Sequence, residues 1–146
     1  MNELTLSEQQ FVWPVRVYYE DTDAAGVVYY ANYLRYFERA RTEWLRALGF
    51  EQTELAARHQ IVFVVRSINV EYFLPARFND ELRISVELDA PGASQMVFVQ
   101  RVMHAAVVLC EARVRVACVS LHAMKPVRIP KPLSTKIQEK IRIKTT

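Results

Sequence analysis

The sequence predicts an α+β domain in which an antiparallel sheet wraps one long helix. Two observations carry the prediction. A single strong helical period runs from about Asn32 to Leu48, and four long β-rich segments follow His59. One helix cannot cover both faces of such a sheet, but the sheet is long enough to curve around the helix.

The elements follow in order. A first strand is expected from Val15 to about Glu20, after Pro14, and then a loop, Asp21-Thr22-Asp23-Ala24-Ala25-Gly26. In the long helix the apolar stripe is Tyr33, Tyr36, Phe37, Ala40, Trp44 and Leu48, with Arg35, Glu38, Arg39, Arg41, Glu43 and Arg46 largely on the other face. Asn32 is a reasonable N-cap and Gly49 a good residue just past the C-terminus. Glu51 to His59 adds another helical turn or two. Strands are expected over about Ile61–Tyr72, Glu81–Leu88, Met96–His104 and Val107–Ala123, and Pro91-Gly92-Ala93-Ser94 reads as a hairpin turn. In the last strand Cys110, Ala112, Val114, Val116 and Cys118 share one face, and Glu111, Arg113 and Arg115 the other.

The 146 residues suit one domain, and 51% hydrophobic with 24% charged residues demands a packed core. Three glycines and six prolines exclude collagen-like and linker-like compositions. Apolar runs such as Ile61 to Val65 fall far short of the ~20 residues of a membrane-spanning helix. MNELTLSEQQ has no basic cluster followed by an apolar stretch, so no secretory signal is visible. Cys110 and Cys118, on one face of one strand, cannot reach each other, and reduced core thiols suit the cytoplasm.

Charge is uneven. The net +3 combines +6 over residues 125–146 with −3 over the remainder. The expected organisation is a domain over residues 1–131 and a basic tail over 132–146. In the tail Leu133, Ile137 and Ile141 recur at helical spacing with Ser134 as a plausible N-cap, which suggests a short helix docked on the domain. No aromatic is interleaved with the basic residues, which argues against single-stranded nucleic acid.

Several chemistries lack sequence support. His59, His104 and His122 are dispersed and no Cys/His cluster has zinc spacing, so no metal site is expected. There is no Gly-x-Gly-x-x-Gly, P-loop or Gly-x-Ser-x-Gly. What remains lies between residues 18 and 36: six of the seven tyrosines, the acids Glu20, Asp21 and Asp23, and Gly26. A loop carboxylate facing the N-terminus of the long helix, whose N–H groups are unpaired and partly positive, is equipped for hydrolysis of a polarised carbonyl. Core packing and helix-dipole complementation explain the same residues without catalysis.

The stretch from Val15 to Tyr33, VRVYYEDTDAAGVVYYANY, continuing LRYFERARTE to Glu43, resembles the active-site signature of the 4-hydroxybenzoyl-CoA thioesterase family. It is most similar to the bacterial acyl-CoA thioesterases associated with the Tol–Pal cell-envelope system. The resemblance extends through Phe63-Val-Val-Arg66, Val70-Glu-Tyr72, Pro75-Ala-Arg77 and Met124-Lys-Pro126. It implies a hotdog fold and a homodimer, commonly assembled into a tetramer, with active sites between subunits. It also implies hydrolysis of an acyl-CoA thioester to a carboxylic acid and coenzyme A, with no separate cofactor.

By the same resemblance Asp23 is the nucleophile or general base. The Tyr30 N–H is the oxyanion donor, Gly26 shapes the turn, and Tyr19 orients substrate or lines the acyl site. The Tol–Pal branch often carries histidine where this chain has Tyr30, a change that a backbone N–H role survives. A thioester dehydratase is the enzymatic rival, disfavoured because no histidine lies near Asp23. The alternative from another class is a non-catalytic adaptor for acyl carrier protein or an envelope-complex component, docked through the basic tail.

Overall fold

The computed structural model describes residues 10–145. Five antiparallel strands form one sheet in the order β1-β3-β4-β5-β2. They are β1 (Phe11–Arg16), β2 (Ile61–Tyr72), β3 (Glu81–Pro91), β4 (Gln95–His104) and β5 (Val107–Ser120). The helices are α1 (Asn32–Ala47), α2 (Gln52–His59) and α3 (Lys131–Thr145). The α+β expectation holds, and the β3–β4 hairpin turns at Gly92, whose N–H donates to Gln95 O at 2.7 Å.

The first strand lies earlier than predicted. Pro14 is inside it, opposite Arg83, which a sheet edge tolerates because one side of an edge strand needs no ladder donors. The backbone then leaves the sheet because Asp21 draws it into a 3-10 turn over Tyr19–Asp21: the Tyr18 N–H donates to Asp21 Oδ2 at 2.8 Å.

Helix α1 buries Tyr33, Tyr36, Phe37, Ala40 and Trp44, and the buried C-cap residue Leu48 completes the predicted stripe. Burying one such large apolar side chain stabilises the fold by roughly 1.5–3 kcal/mol. Trp44 meets Phe98 of β4 edge-on, with ring centroids 5.1 Å apart. The helix ends where Gly49 adopts φ +96°: its N–H reaches Arg46 O and the Phe50 N–H reaches Leu45 O, the paired bonds of a Schellman cap. Bulges between Val65 and Ser67 in β2 and between Leu88 and Ala90 in β3 add local twist to the sheet.

Two capping expectations are corrected. Ala31, not Asn32, stands at the N-cap of α1, because the Asn32 side chain turns inward to Asp21. Ser134 lies inside the first turn of α3: its N–H donates to Pro130 O at 2.9 Å, so the helix starts earlier. Leu133 and Ile137 are buried in the core, and Ile141 lies outside the residues whose side chains are described.

Cys110 and Cys118 are both free and buried. Burial pushes the Cys110 thiol up to about 12 and the Cys118 thiol up to about 11. At pH 8 an aromatic disulfide reagent should therefore titrate neither thiol in native protein and both in urea. The sign for stability follows. The folded-state values lie above the unfolded ones, so the unfolded chain loses protons first as pH rises above about 9. The contribution of these thiols is complete below that pH and is lost progressively towards pH 11–12.

Candidate active site

The loop between β1 and α1 folds into a tight hairpin. The Gly26 N–H donates to Asp23 O at 3.0 Å, the Asp23 N–H donates to Val27 O at 2.9 Å, and Thr22 bridges Val28. Gly26 closes this turn with φ +79°, the left-handed region. A Cβ there would meet no atom within 4 Å. The expected cost of Gly26→Ala is therefore conformational only, about 1–2 kcal/mol, read as a lower urea midpoint at constant m-value.

The segment after β2 straps the hairpin down. The Val28 N–H donates to Ala76 O at 2.9 Å, Val27 bridges Arg77, and the Ala76 N–H donates to the Tyr33 hydroxyl of α1 at 3.0 Å. The turn, the strap and the start of α1 thus form one rigid unit.

Within it the Asp23 side chain is exposed. Its Oδ1 accepts the Ala25 N–H at 2.9 Å, and among the described residues no donor meets Oδ2. Asp23 lines a groove of about 330 Å³ with Glu20, Thr22, Tyr29, Ala31, Asn32 and Arg35. Tyr30 does not line the groove, although its neighbours Tyr29 and Ala31 do. The Tyr30 ring is exposed, 4.8 Å from Tyr29 and 6.4 Å from Tyr72 between centroids. The Tyr29 N–H donates to Asp21 O and the Asn32 N–H to Tyr29 O, whereas the Tyr30 N–H meets no acceptor among the described residues. Ala31 offers no side-chain cap. Gly26 and Tyr19 are likewise outside the lining: Gly26 shapes the turn from behind, and Tyr19 is 75% exposed and stacked on Phe78 at 3.9 Å.

Residues 17–139 match the model of the thioesterase-like superfamily. The chain belongs to that superfamily. Relatives of this thioesterase-like chain include the acyl-CoA thioesterase YbgC of Haemophilus influenzae, 49% identical over 83% of this chain and 89% of that protein. The acyl-CoA thioester hydrolase YbgC of Escherichia coli O6:H1 is 48% identical over 88% of this chain and 96% of that protein. A probable thioesterase from Bartonella henselae has a similar crystal structure, with TM-score 0.80 and 35% identity over 83% of this chain and 99% of that one. The hotdog architecture expected from the sequence is thereby established.

In this thioesterase-like chain the acid two residues before Asp23 has a different surrounding. Asp21 is buried, and each carboxylate oxygen is engaged, Oδ2 by the Tyr18 N–H and Oδ1 by Asn32 Nδ2 at 2.9 Å. Its main-chain oxygen takes the Tyr29 N–H at 3.0 Å. Asp21 therefore joins the end of the first strand to the start of α1, whereas Asp23, like the neighbouring Glu20 in the groove lining, is open to solvent. Behind it the Tyr36 hydroxyl is buried with no hydrogen-bond partner of good geometry among the described residues. Burial first, and then the Asp21 charge, pushes its pKa well above the ordinary tyrosine value, so it stays neutral.

Sequence reasoning did not assign roles to Asp21, Asn32, Arg35 or Tyr72 in the site. Asn32 carried a misleading signal, since an Asn ahead of an apolar stripe reads as a cap. Tyr72 is 42 residues from Tyr30 yet donates its hydroxyl to Tyr30 O at 2.9 Å. Only its place in the Val70-Glu-Tyr72 match set it apart.

Proposed function

We propose that the protein hydrolyses an acyl-CoA thioester to a free carboxylic acid and coenzyme A, with Asp23 as nucleophile or general base and the Tyr30 N–H as oxyanion donor. The reading is supported by an exposed carboxylate on a fixed turn and an acceptor-free N–H just ahead of α1, both carried by the same β1–α1 connection. YbgC relatives named as acyl-CoA thioesterases support the choice of substrate.

In the general-base form Asp23 takes a proton from water as the water oxygen bonds to the thioester carbon. The carbonyl oxygen gains the negative charge and the Tyr30 N–H hydrogen-bonds to it, an interaction worth about 3–4 kcal/mol in the transition state. Collapse breaks the C–S bond, and the coenzyme A thiolate leaves and is protonated. In the nucleophilic form the Asp23 oxygen itself bonds to the carbon, thiolate leaves first, and water then opens the anhydride. Tyr19, exposed beside the turn, orients the substrate in either form.

The enzyme works as a homodimer or a tetramer built on it. Strand β2 is twelve residues long, lies at the sheet edge and exposes Val65, Tyr72 and, just beyond, Phe73 and Leu74. Such an edge is suited to antiparallel pairing with a second copy. The cytoplasm suits the free thiols, and a Tol–Pal connection follows the family resemblance.

Release of free coenzyme A thiol from short, aromatic and long acyl-CoAs tests the reading and ranks substrates. Hydrolysis of at least one class is expected. A folded wild type inert across the whole panel overturns it in favour of the adaptor.

A further inference from the structure

We propose that Tyr72 is a positioning residue for the oxyanion donor: its hydroxyl holds the Tyr30 carbonyl, one peptide beyond the Tyr30 N–H, and so limits rotation about the Tyr30 backbone and keeps that N–H aimed at the thioester oxygen. The role rests on the function proposed above.

The Tyr30 backbone is anchored on both sides. On one side the Tyr29 N–H donates to Asp21 O at 3.0 Å and Tyr29 O, in the same peptide as the Tyr30 N–H, accepts the Asn32 N–H at 2.8 Å; on the other Tyr30 O accepts the Tyr72 hydroxyl at 2.9 Å. The Tyr30 N–H lies between these anchors and is itself without an acceptor among the described residues. A donor stabilises developing charge best when its direction is fixed before the reaction, because no reorganisation is then needed in the transition state.

Tyr72 is a rigid base for such a clamp. It is the last residue of β2, paired with Cys110, and the next two N–H groups, of Phe73 and Leu74, both donate to Leu109 O. Its ring also meets Tyr33 at 5.5 Å, and Tyr33 is held in turn by the Ala76 N–H on its hydroxyl. The clamp therefore ties the sheet directly to the start of α1. Tyr72→Phe keeps the ring that meets Tyr33 and removes the hydroxyl alone. The fold survives that change, and only the anchor is lost.

Steady-state kinetics of wild type and Tyr72→Phe on the best acyl-CoA of the panel test the role, together with the amide order parameter of Tyr30 by NMR. The expected result is kcat lower by about tenfold, smaller than the 10²–10³ of deleting an oxyanion donor outright. KM should stay within about twofold, and the Tyr30 amide should become more mobile. Unchanged kcat, a rise in KM alone, or an unaltered Tyr30 amide overturns the proposal. A wild type inert on every thioester removes the underlying reading and the role with it. An active wild type matched by Tyr72→Phe removes only the role of Tyr72.

Discussion

Asp23→Asn should lower thioester hydrolysis by about 10²–10⁴-fold, the range a positioned acid–base group supplies. The substitution is nearly isosteric, and the amide oxygen can still accept the Ala25 N–H that Asp23 Oδ1 now takes. The turn is therefore preserved, and the thermal midpoint should change by no more than a few degrees. What disappears is the negative charge and the capacity to take a proton or attack a carbonyl carbon. The decrease should appear mainly in kcat, since Asp23 acts on the reacting atoms and contributes little uniform binding. Thiol release at saturating acyl-CoA measures it. Activity that survives the substitution in a folded variant would keep the hydrolase and remove Asp23 from its centre.

Asp21→Ala, two residues away, should act on the fold instead. The Tyr18 N–H and the Asn32 side-chain amide would both lose their acceptor in a site where Asp21 and Asn32 are only 6% exposed. Each unsatisfied buried donor costs about 1–3 kcal/mol, so a loss of about 2–5 kcal/mol is expected. Urea denaturation reads it as a large drop in midpoint. Activity per folded molecule should fall less than in Asp23→Asn, because the Asp21 main-chain oxygen still holds the Tyr29 N–H. A variant as stable as wild type would show that Asp21 is not the joint between the first strand and α1.

The contrast between these two acids marks what a sequence discloses. The stripe from Tyr33 to Leu48 and the alternation from Cys110 to Cys118 were legible because helical and strand periods repeat a face many times over. The turn at Gly26 and the stop at Gly49 were legible because glycine at a left-handed position has a local cause. Family resemblance, not periodicity, separated Asp23 from Asp21. The links from Asp21 to Asn32 and from Tyr72 to Tyr30 span 11 and 42 residues and leave no periodic trace. The displaced first strand has the same origin: Tyr18 and Tyr19 look β-forming, but the Asp21 carboxylate captures the Tyr18 N–H and bends the chain away.

The proline in β1 has a consequence for growth of the sheet. Val17 turns both its N–H and its C=O towards residues 79 and 80, so Pro14, three residues earlier, turns its nitrogen away from β3. A strand arriving on that side finds no donor at its middle. Extension is thus open at β2 and blocked at β1. Were two copies to join through β2, each end of the resulting sheet would present β1, so that sheet would terminate itself and no apolar edge would be left to seed fibrils.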